Sequence, residues 1–347
     1  MQAIPVEALK SGMILAKPIR REKDGLVLLQ DKTVIKQLYI DKIKALNIGT
    51  VWVQEGQTAA EDEFIEPIRE ETRLKATALL RTTFSLCKHN ETLDMERLRT
   101  VVKEILDYIL GDPRIIYTIT KINAYDNYTF THSVDVCVLA VLIGSVMGLH
   151  RSELEILGIS ALLHDIGKTF IDFRILNKPA KLEPVEYEFL KTHTREGYEL
   201  LKKRSNSSFL IPHMALQHHE REDGSGYPRG LQGKRIHRFA KIIAVADVFD
   251  AMTSLRIYRQ PVPPALAIQE ICGNTPFKFN QTVVDYFTKI VTPYTKGSIL
   301  LLSNHQTVEI IFISRMKCLV KVVSAHNGGE TFDLYQKPEI TVLKRLN

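Results

Sequence analysis

Five histidines and two aspartates stand out for their chemistry: His132, His164, His193, His218 and His219, Asp165 directly after His164, and Asp247 inside the apolar run KIIAVADVFD. A histidine alone on a helix is far more often a surface or satisfied core residue than a ligand. That reading suffices for His89, His150, His213, His237, His305 and His326. Likewise Asp135 and Asp250 read as helix-face residues paired with a base, and Asp247 by itself could pair with Arg256 or Arg259. The seven together are another matter. A carboxylate carried into a core needs a compensating partner, and a divalent cation is one. Mixed imidazole and carboxylate donors suit Fe, Mn or Zn rather than Ca or Mg. The seven donors exceed what one tetrahedral site takes. With one aspartate shared, they suffice for two cations and a water-derived nucleophile between them. Such a pair stabilises both oxygens of an in-line displacement at phosphorus.

The elements that must position these groups are mostly helical. From 64 to 292 apolar residues recur at helical spacing. Leu98, Val101, Val102, Ile105, Leu106 and Ile109 share one face of a helix capped by Thr92 and ended by Gly111 and Pro113. Ser152 and Glu155 have capping-box spacing before a helix that runs to Leu163, with Gly167 to close it. Pro184 opens a helix expected to continue to Lys203, and FAKIIAVADVFDAM (239–252) is another. In HHEREDGSGYP (218–228), two adjacent imidazoles on a helix splay, since neighbouring residues point about 100° apart. Gly224 and Gly226 then let the loop bend, and Pro228 stiffens its exit.

The flanks differ in character. Residues 1–58 read as a small α/β unit, with strands at GLVLLQ (25–30) and TVWV (50–53) around a helix at 34–46. EGQTAAEDE (55–63) reads as a polar linker. Residues 296–347 hold five short β-rich runs separated by turn residues such as His326–Gly329, a β-rich appendix. The expected fold is therefore mainly α, with an α/β unit before the helical region and a β appendix after it.

Composition narrows the function classes. The chain has 347 residues, 45% hydrophobic and 25% charged, which suits globular domains rather than disorder. A net charge of +6 suits an anionic ligand such as a nucleotide. No basic stripe interleaved with aromatics points to nucleic acid. The four cysteines form no CxxC pair and read as free thiols in a reducing compartment. The apolar run at 136–149 is too short for a bilayer and fits a core helix, and no secretory signal opens the chain. The default is a cytoplasmic protein without membrane insertion.

The central region resembles the HD-GYP family, the cyclic di-GMP phosphodiesterase branch of the HD phosphohydrolases. YTFTHSVDV (128–136), LLHDIGK (162–168), ILNKPAKLEPVEYEFLKTH (175–193), HHEREDGSGYP (218–228) and AKIIAVADVFDAMTSLRIYR (240–259) match in order and spacing. LKSGMILAKPI (9–19) resembles the segment that precedes the catalytic domain in many members. The resemblance implies an HD-type helical catalytic domain with its motifs at 125–290. It implies that His132, His164, Asp165 and Asp247 hold one metal, and Asp165, His193, His218 and His219 the other. Lys168 would meet the scissile phosphate, Arg256 and Arg259 would hold substrate phosphates, and Tyr227 would line the cleft against guanine or ribose.

Tyr128 stands where some members carry a glutamate for a third metal, so two ions, Fe or Mn, are expected. Asp172, Ala180 and FKFN (277–280) also depart from the family pattern. The implied function is hydrolysis of cyclic di-GMP to pGpG, with GMP as a further product left open. The alternative is a cyclic di-GMP receptor with little or no turnover. A protein signalling partner and a homodimer are compatible with either.

Overall fold

Tertiary contacts divide this chain into two units, Met1–Phe64 with Thr120–Ile122, and Ile65–Ile119 with Asn123–Asn347. The computed structural model describes the whole chain apart from residue 1 and residues 21–26, 31–32, 46–47, 49, 59–66, 89–91, 113–114, 116–127, 179, 205–207, 255–261, 263, 292–293, 295–296, 315–316, 324–328, 338, 341 and 347. Arg256, Arg259, Pro113, His89, His326, the linker positions 59–63 and the turn positions 326–328 lie outside the described residues.

In the first unit, β1 (Gln2–Pro5) and β2 (Met13–Leu15) flank β5 (Thr50–Thr58) in an antiparallel sheet, and β3 (Ile19–Arg20) pairs β4 (Val27–Leu29). Helix α1 (Gln37–Ala45) contributes Tyr39, Ile40 and Ile43 to a core shared with Leu15, Ile35, Val51 and Val53. Strand β5 runs on through Thr58, over the first four residues of the stretch expected to be a linker. The polar sequence hides a strand there because β5 is held by pairing, Met13 opposite Thr58, rather than by an apolar pattern.

The second unit is mainly α. Helix α2 (Glu70–Lys88) and α3 (Met95–Gly111) precede α4 (Tyr128–Val146) and α5 (Arg151–Leu163). Helix α4 is longer than its apolar run, but 72% of Thr129–Val146 is buried within the protein, so it is a core helix. Two capping assignments shift. Asp94, not Thr92, caps α3, its carboxylate accepting from Arg97 N–H. His150 precedes α5, and Glu153 accepts from the His150 N–H, two residues before the expected box. At α3 a carboxylate is a stronger acceptor than a hydroxyl for an unpaired first-turn N–H, which favours Asp94 over Thr92.

Past α5 a 3-10 turn, Ile166–Phe170, replaces the expected glycine stop: Gly167 sits inside it. Short α6 (Phe173–Leu176) follows. The expected single helix from Pro184 to Lys203 is two, α7 (Pro184–Lys191) and α8 (His193–Arg204), broken at Thr192. Helices α9 (Leu210–Gln217), α10 (Arg238–Thr253), α11 (Pro264–Gly273) and α12 (Gln281–Ile290) complete the helical part. Their apolar faces bury Phe239, Phe249 and Phe287 with the α4 residues in one core.

The C-terminal strands β6 (Ile299–Leu302), β7 (Thr307–Ile313), β8 (Cys318–Val322), β9 (Thr331–Asp333) and β10 (Val342–Arg345) form one antiparallel sheet in the order β10-β6-β7-β8-β9. Period-2 burial puts Leu300, Leu302, Val308, Ile310, Val320 and Val322 on its inner face. Of the cysteines, Cys87, Cys137 and Cys318 are buried free thiols and Cys272 is exposed.

Candidate metal centre

The ends of helices bring the seven groups together. His132 lies in the first turns of α4, His164 closes α5, His193 opens α8, His218 closes α9 and Asp247 lies in α10. Asp165 begins the 3-10 turn after His164 and is 1% exposed. Its Oδ2 is 3.2 Å from His164 Nε2 and 3.8 Å from His132 Nε2. Its Oδ1 is 3.4 Å from His193 Nε2 and 3.7 Å from His218 Nε2. Asp247 Oδ1 lies 3.2 Å from His132 Nε2, and its Oδ2 lies 3.7 Å from His219 Nδ1.

The helix termini also decide which ring nitrogen faces inward. The last carbonyls of a helix lack intrahelical donors. His164 Nδ1 takes the Ala161 carbonyl at 2.7 Å, His193 Nδ1 the Leu190 carbonyl at 2.7 Å, and His218 Nδ1 the Ala215 carbonyl at 2.9 Å. A carbonyl accepts only, so Nδ1 carries the proton and Nε2 presents its lone pair to the centre. This also accounts for the break at Thr192: it leaves the Leu190 carbonyl of α7 open to the imidazole that begins α8. His132 uses a carboxylate instead, Nδ1 donating to Asp250 Oδ2 at 2.7 Å. Ser254 Oγ donates to the same Asp250 oxygen at 3.1 Å.

The donor atoms fall into two overlapping groups, Asp165 with His193, His218 and His219, and Asp165 with His132 and His164, each with all its donor atoms within 4.8 Å of one another. Bonds of about 2.0–2.2 Å to one ion place its ligands roughly 3.0–3.5 Å apart, the range of the closer pairs here. His164 Nε2 and Asp165 Oδ1 are buried and have no hydrogen-bond partner among the described residues. Buried acceptors without a donor are costly unless a cation satisfies them. The residues therefore fit divalent metal.

The charges agree. Burial opposes ionising Asp165, yet Lys168 and His164 hold its carboxyl well below the usual range. Asp247 is likewise buried, and His132 and His219 hold its carboxyl well below that range. Burial keeps His193 neutral, its pKa pushed down to about 3, and depresses His218 and His219 as well. Burial also disfavours charge on His132, but the bonds to Asp247 and Asp250 outweigh it and raise its pKa to about 9. A metal ligand must shed that proton. Loading the protein with Mn at about pH 8 therefore releases about one proton from His132, and at about pH 10 none from it. Titration calorimetry in buffers of different ionisation enthalpy reads this directly; equal release at both pH values would contradict it.

A cleft of about 1030 Å³ opens beside His219, with Tyr187, Arg221, Tyr227, Lys278 and Phe279 in its walls. The Tyr227 ring lies 4.7 Å from that of His219, inclined by 32°. Glu220 holds this loop in place. It is 2% exposed and accepts from Arg229 N–H at 2.9 Å and Leu231 N–H at 2.8 Å. At Gly226 a Cβ would lie 2.4 Å from Arg221 N and His219 O, so only glycine lets the loop return over the histidines. Lys168 Nζ stands 2.5 Å from Asp165 Oδ2 at the edge of the cluster. The other histidines stay apart: His150 and His237 at helix starts, His213 against Tyr198 and Phe209, His305 on a turn.

Sequence reasoning placed Asp250 on a helix face and gave no role to Glu220 or Arg221. A signal for Asp250 existed: three residues after Asp247, it falls on the same helical face. Nothing local marks its partner, His132, which is 118 residues away.

The HD domain family model matches residues 120–283. A cyclic di-GMP phosphodiesterase of Pseudomonas aeruginosa is 30% identical over 286 residues, covering 79% of this chain and 69% of that protein. Another protein of that name, from Thermotoga maritima, is 36% identical over 273 residues, 72% of this chain and 74% of that one. Bd1817, an HDG"Y"P protein from Bdellovibrio bacteriovorus, has the same fold with a TM-score of 0.55 at 15% identity, covering 83% of this chain and 98% of that one.

Proposed function

Because the chain belongs to the HD-GYP family of HD-domain phosphohydrolases, we propose that it hydrolyses cyclic di-GMP, opening one 3′–5′ phosphodiester to give pGpG. The observation that carries this reading is the convergence of two donor groups on Asp165, at the edge of a cleft large enough for a dinucleotide. His132, His164, Asp165 and Asp247 would hold one divalent cation, and Asp165, His193, His218 and His219 a second, Fe or Mn by donor type. Bound there, such ions activate water and neutralise charge on the phosphate.

The chain's own groups do the rest. The Nδ1 contacts of His132, His164, His193 and His218 hold their rings aimed before any ion arrives, so little reorganisation is needed. Lys168 carries a positive charge at the rim, in reach of the scissile phosphate and its leaving oxygen. Tyr227 offers its ring to a base or ribose in the cleft. Arg256 and Arg259 complete the phosphate contacts in this reading.

The test is the protein loaded with Mn or Fe and given cyclic di-GMP. Product pGpG, absent with the His164→Ala, Asp165→Ala double variant, is expected. Tight binding of the nucleotide with the metals in place and no product would instead make the chain a receptor.

Asp250 enters as a positioning residue. Asp250→Asn keeps the shape but removes the charge that fixes the His132 tautomer. Affinity for metal falls about 10–100-fold, read by titration against a competing chelator. An unchanged affinity would remove Asp250 from the account.

A further inference from the structure

The cleft contains a cation that neither the metal donors nor the loop accounts for. Arg221 lines the same wall as His219 and Tyr227. Among the described residues no carboxylate oxygen lies within 4.0 Å of its guanidinium, although three acidic residues surround it in sequence. Each of those acids is committed elsewhere. Glu220 takes the Arg229 and Leu231 N–H groups. Glu222 pairs with Lys241 at 2.8 Å and accepts from Asn280 at 3.3 Å. Asp223 accepts from the Ser225 N–H and hydroxyl at 2.9 and 2.6 Å. Arg221 keeps one long hydrogen bond, to the Glu220 carbonyl at 3.4 Å, and rests on the Phe279 ring at 5.3 Å.

Other partly buried arginines in this unit behave differently: Arg73 pairs with Asp135, and Arg204 donates to the Cys87 carbonyl at 2.9 Å. Arg221 is partly buried and faces the cleft, where an anion would complete its charge-assisted contacts. A ring on one face leaves the in-plane N–H donors for oxygen acceptors, and their fork matches two oxygens of a phosphate.

We propose that Arg221 receives the second phosphodiester of the cyclic dinucleotide, the one that is not cut. This rests on the reading of the site as a cyclic dinucleotide phosphodiesterase. A cyclic dinucleotide carries its two phosphates on opposite sides of one ring. With one of them at the Asp165 cluster, the other must enter the adjoining cleft, where Arg221 has no carboxylate oxygen within 4.0 Å among the described residues. Recognition of the uncut phosphate is uniform binding: it holds substrate and transition state alike, and so acts on KM rather than kcat.

The experiment uses the metal-loaded full chain, wild type and Arg221→Gln, with cyclic di-GMP and with bis(p-nitrophenyl) phosphate, a diester that has no second phosphate. For the variant, KM for cyclic di-GMP rises about 10–100-fold with kcat within about threefold, the loss of one charge-assisted contact. Turnover of the simple diester, metal content and melting temperature match wild type. Arg221→Lys, which keeps the charge without the fork, falls between the two. Equal losses on both substrates would place Arg221 at the cut phosphate or in the scaffold and overturn the proposal, as would an unchanged KM. If the wild type itself cleaves the simple diester but not cyclic di-GMP, the proposed function fails and this assignment with it.

Discussion

Asp165→Asn lowers cyclic di-GMP hydrolysis by at least about a thousandfold and removes metal from both donor groups. The asparagine has nearly the same shape, so the effect isolates charge. Among the described residues Asp165 is the one common to both donor groups. Its two oxygens face four imidazole nitrogens at 3.2–3.8 Å, and Lys168 as well. An amide there supplies one weak acceptor, and its NH2 is directed at lone pairs meant for cations. It also leaves the Lys168 ammonium without its nearest carboxylate. Asp247→Asn, by contrast, touches His132 and His219 but not the shared position, so it should weaken one ion far more than the other. Metal per chain by elemental analysis, alongside pGpG formation by chromatography, separates the two variants. An Asp165→Asn protein that keeps its full metal content would break the argument that this carboxylate is shared.

Gly167→Ala should be the most destabilising single methyl in the helical unit. A Cβ at 167 would lie 1.9 Å from the His193 carbonyl oxygen, 2.6 Å from Gly197 N and 2.8 Å from His193 C. All three are backbone atoms, which cannot rotate aside, so the 3-10 turn and α8 must separate. Overpacking of this kind costs about 3 kcal/mol or more, which lowers the melting temperature by roughly 6–12 °C. The same separation draws His193 away from Asp165 Oδ1, now 3.4 Å distant, so metal affinity falls too. Gly111→Ala is the control, since nothing lies within 4 Å of its Cβ position. Thermal melts with and without Mn read both effects. If Gly167→Ala melts with Gly111→Ala and wild type, the close approach is not as tight as described.

The two predictions share a cause. Asp165, Gly167 and Lys168 belong to one short turn, pinned on α8 at the glycine and on the imidazoles at the carboxylate. A bulky residue at 167 would move the shared carboxylate, and a neutral one at 165 would leave the rigid turn with nothing to present.

Much of this was legible in the residues themselves. Helical periodicity placed α3, α5 and α10, because an amphipathic or wholly apolar helix writes its burial into its spacing. Alternation placed the C-terminal strands for the same reason. The types and order of the histidines and aspartates, with the GYP loop, were enough to name the chemistry and the family, since ligand identity is a covalent property of the chain.

What the sequence could not determine depends on groups far apart along it. The α7–α8 break has no glycine or proline to announce it. The strand at 55–58 has no apolar pattern, and its register comes from β2. Asp250 looks like any helix-face acid until His132 folds against it, and Arg221 looks like any loop arginine until the acids beside it are seen to turn elsewhere. Local sequence sets which donors exist and on which helical face they start. Which nitrogen is left bare, and which cation is left without an anion, is settled only when distant carbonyls and carboxylates arrive, because hydrogen bonds and ion pairs act over a few ångströms of space and not along the chain.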